Sequence, residues 1–519
     1  MTYDLLIQNC FLVDGSGSLP YRGDIAVKDG FIREIGSISP SAADHVYDAR
    51  GLLVCPGFID AHAHSETSIL RKPDCLHKIS QGITLELTGH CGDSVFPFEN
   101  PNHTFSFSDL KEYRAYTQGK GFAVNQGSLV GHGSIREKAL GEGDRPVTSE
   151  GAQRMASDLT ESLRQGALGM SSGLEYAPGM YSTPEEMVPL AKILANHGAV
   201  YATHMRNEGS TLLDAVDETL SVTRQSGVTT VISHIKACGK PNHGKVAVLL
   251  KKLDAAVQDG FAVYGDCYPY PAGCTGLSIV LPQWTLANGR EEMLRILASP
   301  EGRAEIRRWF SLGTDVWENR SIITGWENLF ISHVSKPENA GLEGKSLQEL
   351  ARIRGKDEID AFLDLLLSED GDVQGILRSA CEEDIISAIS HPRVMICSDS
   401  VDVSGRPHPR LYGSHARYLA RYAKLDTDQH IADAIYKITG LPAKVYHLDK
   451  VGLLKPGYRA DIAIFDPNRI RDNATFAEPE QLADGVEAVF VGGALAYQDK
   501  ESLHTRTGAF ILPASFLHE

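Results

Sequence analysis

Six side chains able to bind a transition metal are spread along the chain: His62, His64, Cys91, His204, His234 and Asp399. His62 and His64 stand two apart in FIDAHAH, and on a β-strand that spacing aims both imidazoles to one side. Cys91 lies between glycines in TGHCGD, His204 ends YATH, His234 ends VISH, and Asp399 sits in ICSDS. Imidazole, thiolate and carboxylate together suit zinc better than magnesium or calcium. Taken singly, each residue has a plainer reading. A buried cysteine packs, a strand histidine hydrogen-bonds within a core, and an aspartate caps a turn. A redox role for Cys91 would need a resolving cysteine, and the sequence has no CxxC. Only a fold that gathers all six turns them into a metal site.

Glycines just before apolar runs (Gly82, Gly121, Gly166, Gly198, Gly227, Gly260) read as helix ends feeding strands. The last four recur at about the length of one βα unit. Between them lie amphipathic segments, such as the face Val246, Leu249, Leu250, Leu253, Val257, and a helix start at Thr183-Pro184-Glu185-Glu186. With LLVCPGFIDAHAH and RVMICSDS, eight strand candidates end near His64, Cys91, His132, Tyr176, Arg206, Lys236, Tyr270 and Ser400. The expectation is an α/β fold, a TIM-like (β/α)8 barrel, with an open doubly wound sheet as the alternative. Barrel chemistry sits at the C-terminal ends of strands, where all six metal-binding candidates fall. Residues about 271–390 read as a helical insertion between strands seven and eight, covering one barrel face. Both chain ends alternate as strands and turns, with a hairpin at Lys28-Asp29-Gly30. They are expected to meet as one small β-sandwich, dividing the chain into 1–55, 56–440 and 441–519.

Composition narrows the function classes. The chain has 519 residues, 42% hydrophobic and 23% charged, with formal net charge −17, which argues against a nucleic-acid partner. No apolar run is long enough for a bilayer and no basic n-region opens the chain, so neither a membrane nor a secretory route is expected. Nine cysteines, an odd number without paired spacing, fit reduced thiols in a cytoplasm. Cys238 and Cys397 are assigned to packing, and His90 to packing or a contact behind the site. Glu86, a charge inside a strand, requires a buried partner; a metal-bridging role is the weaker reading.

The stretches GITLELTGHCG, LVGHGSIR, GALGMSSGLEY, THMRNEG, SHIKACG, DCYPYPAGCTGL, ICSDS and HPRLYG run in order over nearly the whole chain. With PGFIDAHAH and LLKPGYRADIAIFD they resemble the metal-dependent amidohydrolase superfamily, and more narrowly its N-acyl-D-amino acid deacylases (D-aminoacylases). Hydantoinase-like relatives carry a carboxylated lysine on strand four. Here that strand reads ALGMSS, and Cys91 supplies the ligand instead. The resemblance implies zinc-dependent hydrolysis of N-acyl-D-amino acids, with a tight zinc at Cys91, His204 and His234. A weaker second site is implied at His62, His64 and Asp399, with Asp399 also the catalytic base. It further implies that Lys236, Tyr268 and Arg410 bind the substrate carboxylate, although Tyr270 shares a face with Tyr268 and could exchange with it. His90 departs from an expected asparagine and Cys274 from an expected serine. Rival readings are an amidohydrolase for cyclic amides or dipeptides and a non-catalytic protein on the same fold. The sequence leaves acidic and apolar D-side chains equally open and says nothing of oligomeric state.

Overall fold

The computed structural model describes residues 2–97, 105–314 and 316–518. Eight parallel strand segments form a closed ring. They run at Phe58–Asp60 continuing to Ala63–His64, Ile83–Thr88, Asn125–Ser128 continuing to Val130–Gly131, and Gly169–Gly173. Val200–His204, Thr229–Ile232, Val263–Cys267, and Val394–Ile396 continuing to Ser400–Val401 complete it. The first three pair in order, and Leu168 N–H to the Ser128 carbonyl (2.9 Å) joins the third to the fourth. Strands four to eight pair in sequence order. Asp399 N–H donates to the His62 carbonyl (2.8 Å) and Ser400 pairs with Ala63, joining strand eight to strand one. Closure excludes the open sheet.

Alternation within each strand sorts side chains between lumen and helix layer. Ile59, Leu85, Leu87, Leu129, Leu168, Val200 and Val231 share the lumen core with Tyr268 and Cys397. Phe58, Ile83, Ile232, Val263 and Val394 face the helices, where Val246, Leu249, Leu250 and Leu253 of Lys245–Gln258 pack against them. The expected helix at 183 is Pro184–Asn196, with proline in its first turn.

The two chain ends meet in one continuous nine-stranded sheet rather than two separate ones. Its N-terminal part, including Tyr3–Leu12 and Tyr21–Lys28, joins the C-terminal strands where Leu53–Pro56 pairs with Ile462–Phe465. Residues of both parts share one core, in which Tyr47 meets Phe490 edge to face at 5.3 Å. The hairpin at Lys28-Asp29-Gly30 forms as expected, with φ of +53° at Asp29 and +76° at Gly30. The insertion is not helical throughout. It holds helices such as Arg290–Ala298 and Glu358–Ser368, but also an antiparallel three-stranded sheet of Gly273–Gly276, Leu329–Val334 and Val373–Leu377. These strands are short and far apart in sequence, so no local hairpin signal announces them.

Candidate metal centre and cavity

All six expected metal-binding residues converge at the C-terminal ends of the strands. Cys91 Sγ lies 3.4 Å from His62 Nε2 and 3.4 Å from His234 Nε2, and His204 Nδ1 lies 2.9 Å from His234 Nε2. Asp399 Oδ1 is 3.1 Å from His64 Nε2 and 3.4 Å from His62 Nε2. Two overlapping donor sets result, Cys91/His204/His234 and His62/His64/Cys91/Asp399, with ligand atoms within 4.8 Å of one another. Clusters this tight of soft and borderline donors fit a zinc-like ion.

The backbone is bent to achieve this. Cys91, His234 and Asp399 have φ of +54°, +35° and +47°, a region that non-glycine residues rarely adopt and that costs about 1–3 kcal/mol each. Gly89 and Gly92 flank Cys91 at φ +75° and +78°. A side chain on Gly89 would collide with the Leu129 carbonyl, and one on Gly92 with the backbone of Gly173.

Carboxylates that the sequence reading missed hold the imidazoles. His204 Nε2 lies 2.9 Å from Glu175 Oε2, and His234 Nδ1 lies 2.9 Å from Glu208 Oε1. At His204 this pairing puts the proton on the outer nitrogen and leaves the inner lone pair facing the cluster, whereas His234 Nδ1 is shared between Glu208 and Lys236 Nζ, also 2.9 Å away. Glu208 Oε1 also accepts from Lys236 Nζ at 2.6 Å. Its position four residues after His204 was the available sequence signal, whereas Glu175 had none beyond sitting near a strand end. Arg320, from the insertion, pairs with Glu175. Asp266 at the end of strand seven accepts from His234 N–H (2.7 Å) and from the Cys397 thiol (3.2 Å). Cys397 thus bonds to the site's support as well as packing.

The cluster opens into a cavity of about 710 Å³, lined among others by Cys91, Tyr176, Lys236, Tyr268 and Cys274. Tyr268 OH is buried and has no hydrogen-bond partner, whereas Tyr270 OH contacts the Pro409 carbonyl at 3.4 Å and does not line the cavity. Arg410 is fully buried behind the cavity wall. It donates to Asp399 Oδ2 (2.8 Å) and to the Cys274 carbonyl (3.2 Å), and lies 4.6 Å over the Tyr268 ring. Burial opposes ionisation of Asp399, but Arg410 and the neighbouring histidines outweigh it and hold the carboxyl well below the usual range. Burial likewise opposes charge on Lys236, and Glu208 reverses this, so the ammonium persists. Burial pushes the Cys91 thiol up.

A model of the Amidohydrolase family (Amidohydro_3) matches residues 45–497. The chain is 34% identical to a D-aminoacylase of Alcaligenes xylosoxydans xylosoxydans over 96% of its own length and 95% of the relative's. The chain belongs to the D-aminoacylase family of amidohydrolases. An N-acyl-D-aspartate deacylase of the same organism is 31% identical, over 98% and 95%. The crystal structure of an N-acyl-D-glutamate deacylase from Bordetella bronchiseptica contains zinc and a phosphonate mimic of the tetrahedral intermediate. It superposes with a TM-score of 0.84 at 31% identity, covering 98% of this chain and 99% of that one.

The remaining assignments in this amidohydrolase sort by face. His90 stacks on His62 with ring centroids 3.9 Å apart, behind the cluster. Glu86 lies between the lumen-facing Leu85 and Leu87, so it points outward, where Lys78 Nζ meets it at 2.8 Å. That pairing removes Glu86 from the metal site. His132 caps strand three, and its ring bonds to Glu186 (2.8 Å). Cys238 lines the cavity, so its assignment to packing alone does not describe it.

Proposed function

We propose that this protein hydrolyses the amide bond of N-acyl-D-amino acids in a zinc-dependent reaction, releasing a carboxylate and a free D-amino acid. One observation carries the reading. The Cys91, His204 and His234 donors converge beside Lys236 and Tyr268 in one cavity, and strand four, Gly169–Gly173, has no lysine. Tight zinc binding is assigned to Cys91, His204 and His234, and weaker binding to His62, His64 and Asp399. A bound zinc supplies Lewis acidity, which acidifies water and polarises an amide carbonyl.

The ionised Asp399 takes a proton from the attacking water. It then returns that proton to the amide nitrogen, since an amine departs readily only when protonated. Arg410, 2.8 Å from Asp399 Oδ2, fixes the carboxylate's orientation and leaves Oδ1 towards His62 and His64. The substrate α-carboxylate is assigned to Lys236 and to the unpartnered hydroxyl of Tyr268; Arg410, expected from the sequence as a third carboxylate ligand, is instead buried off the cavity, bonded to Asp399 and packed behind the Tyr268 ring. Anchoring that carboxylate while the amide lies over the metal cluster dictates the side from which the Cα substituent departs, which selects one enantiomer.

The small-molecule substrate is the expected partner, and the barrel at 56–440 is assigned as the catalytic unit between β-rich ends at 1–55 and 441–519. Among the described residues no helix is long and apolar enough to cross a membrane. All nine cysteines are free, which supports a reducing, cytoplasmic setting. The test is amine release by zinc-loaded protein from matched N-acetyl-D- and N-acetyl-L-Met, -Leu, -Phe, -Glu and -Asp. Turnover confined to the D-series supports the reading; turnover of the L-series, or none in either, overturns it.

A further inference from the structure

Resting on the deacylase reading, the cavity walls carry information about the substrate's side chain. Among the described lining residues, three carry cationic side chains other than histidine: Arg71, Lys236 and Arg320. Lys236 is paired with Glu208 and is assigned to the α-carboxylate. Arg320 is buried and paired with Glu175, and Glu318 and Glu208 are close enough to stabilise its charge further. Arg71 is exposed, and Glu66, Asp93 and Glu137 line the same cavity. Seven of the described lining residues carry carboxyl groups against these three cations, of which Lys236 is claimed by the α-carboxylate and Arg320 by Glu175.

The wall next to the carboxylate anchor carries Cys238 and Ser379, with Arg320 close by and committed to Glu175. Cys238 Sγ lies 3.9 Å from Glu208 Oε2 and accepts from Ser379 Oγ at 3.4 Å, which ties this wall to the Lys236–Glu208 pair. Thr275, Ile279, Gln374 and Leu377 line the same cavity from the insertion, together with Asp372, which adds negative charge. A side chain branches from the carbon bonded to the α-carboxylate, so it must lie within a few ångströms of that anchor. We propose that this enzyme's substrates are N-acyl-D-amino acids with uncharged side chains, seated against the insertion wall, and that D-Asp and D-Glu derivatives are rejected. An acidic side chain there would add a carboxylate beside Glu208 without a counter-ion, and a poorly solvated, unpaired charge is strongly disfavoured.

The test compares kcat/KM of the zinc-loaded enzyme for N-acetyl-D-Gln and N-acetyl-D-Glu, which are nearly isosteric, with N-acetyl-D-Met as reference. The expected result is a preference for Gln over Glu of ~30-fold or more. Equal turnover of Glu, or a preference for it, overturns the proposal. Gln374→Lys places a cation on the insertion strand without disturbing a buried apolar contact. It is expected to shift the Glu/Gln ratio towards Glu by ~5-fold or more with zinc content unchanged. A ratio that stays put in the folded, zinc-loaded variant overturns the seating against this wall. Silence towards Met, Gln and Glu alike overturns the deacylase reading itself, a result distinct from either of the others.

Discussion

Two buried clusters of charge lie on opposite faces of the same barrel wall. At the mouth, Cys91, His204, His234 and Asp399 cluster around a cavity, three of them on left-handed backbone. On the outer face, between strands and helices, Lys78 Nζ contacts Asp60 Oδ2 and Glu86 Oε1, both at 2.8 Å, and Ser400 Oγ at 2.8 Å. Asp60 also accepts from Ser398 N–H at 2.7 Å. Both clusters are secluded from bulk water, but they are built differently. The inner one gathers convergent donors with a cavity in front. The outer one surrounds its own cation, Lys78, and contributes none of the residues that line that cavity. Burial of charge alone does not mark a functional site; convergent lone pairs, strained backbone and access do. The clusters are also linked, because Ser398 and Ser400, held by Lys78 and Asp60, flank Asp399.

The sharpest way to break this contrast is to remove metal. Chelation, or Cys91→Ala, is expected to abolish turnover and empty the tight site, measured as zinc per chain, while secondary structure persists. Next comes Asp399→Asn, expected to keep zinc at the tight site and lose roughly 10³-fold in kcat. Full activity in that variant would remove Asp399 from the role of base. Glu208→Gln touches both His234 and Lys236, so it is expected to weaken zinc binding about 10- to 100-fold and to raise KM together. Zinc titration and steady-state kinetics read the two effects separately.

The outer cluster should respond in stability and not in chemistry. Lys78→Met leaves two carboxylates without their cation and is expected to cost about 3–5 kcal/mol in denaturant unfolding, with zinc content retained by the folded fraction. A smaller effect belongs to His415, whose Nε2 faces the Ile59 carbonyl at 3.3 Å and whose ring is lowered by burial to about 4. The unfolded chain takes up this proton near pH 6.5, while the folded chain resists until about pH 4. Stability is therefore lost as pH falls through that window. His415→Gln should diminish the loss by up to roughly 3 kcal/mol, measured as unfolding free energy at both ends of the window.

Periodicity made much of the inner cluster legible. The two-residue spacing of His62 and His64, and the placement of His204, His234 and Asp399 at strand ends, follow from local alternation and βα punctuation. Glu86 was legible only as a problem, a charge in a strand. Its answer, Lys78, is eight residues away on a helix, and nothing local shows which turn of that helix faces the strand. The pairing of Arg320 with Glu175 likewise depends on how distant segments pack, and that of Arg410 with Asp399 on how the loop between them folds back. Tyr268 and Tyr270 share a strand parity, and only the turn that buries Tyr270 against Pro409 separates them.

What the sequence determined by itself is the βα rhythm, the donor types and the rim on which they stand, because these follow from patterns within one strand and one turn. The tertiary structure alone decided which carboxylates orient the histidines, which face of the wall Glu86 takes and which charges surround the cavity. Those outcomes depend on contacts that no single strand or turn contains, from Glu86 with Lys78 on the neighbouring helix to Glu175 with Arg320 and His64 with Asp399, and only closing the barrel and folding the insertion over it brings the latter pairs within reach.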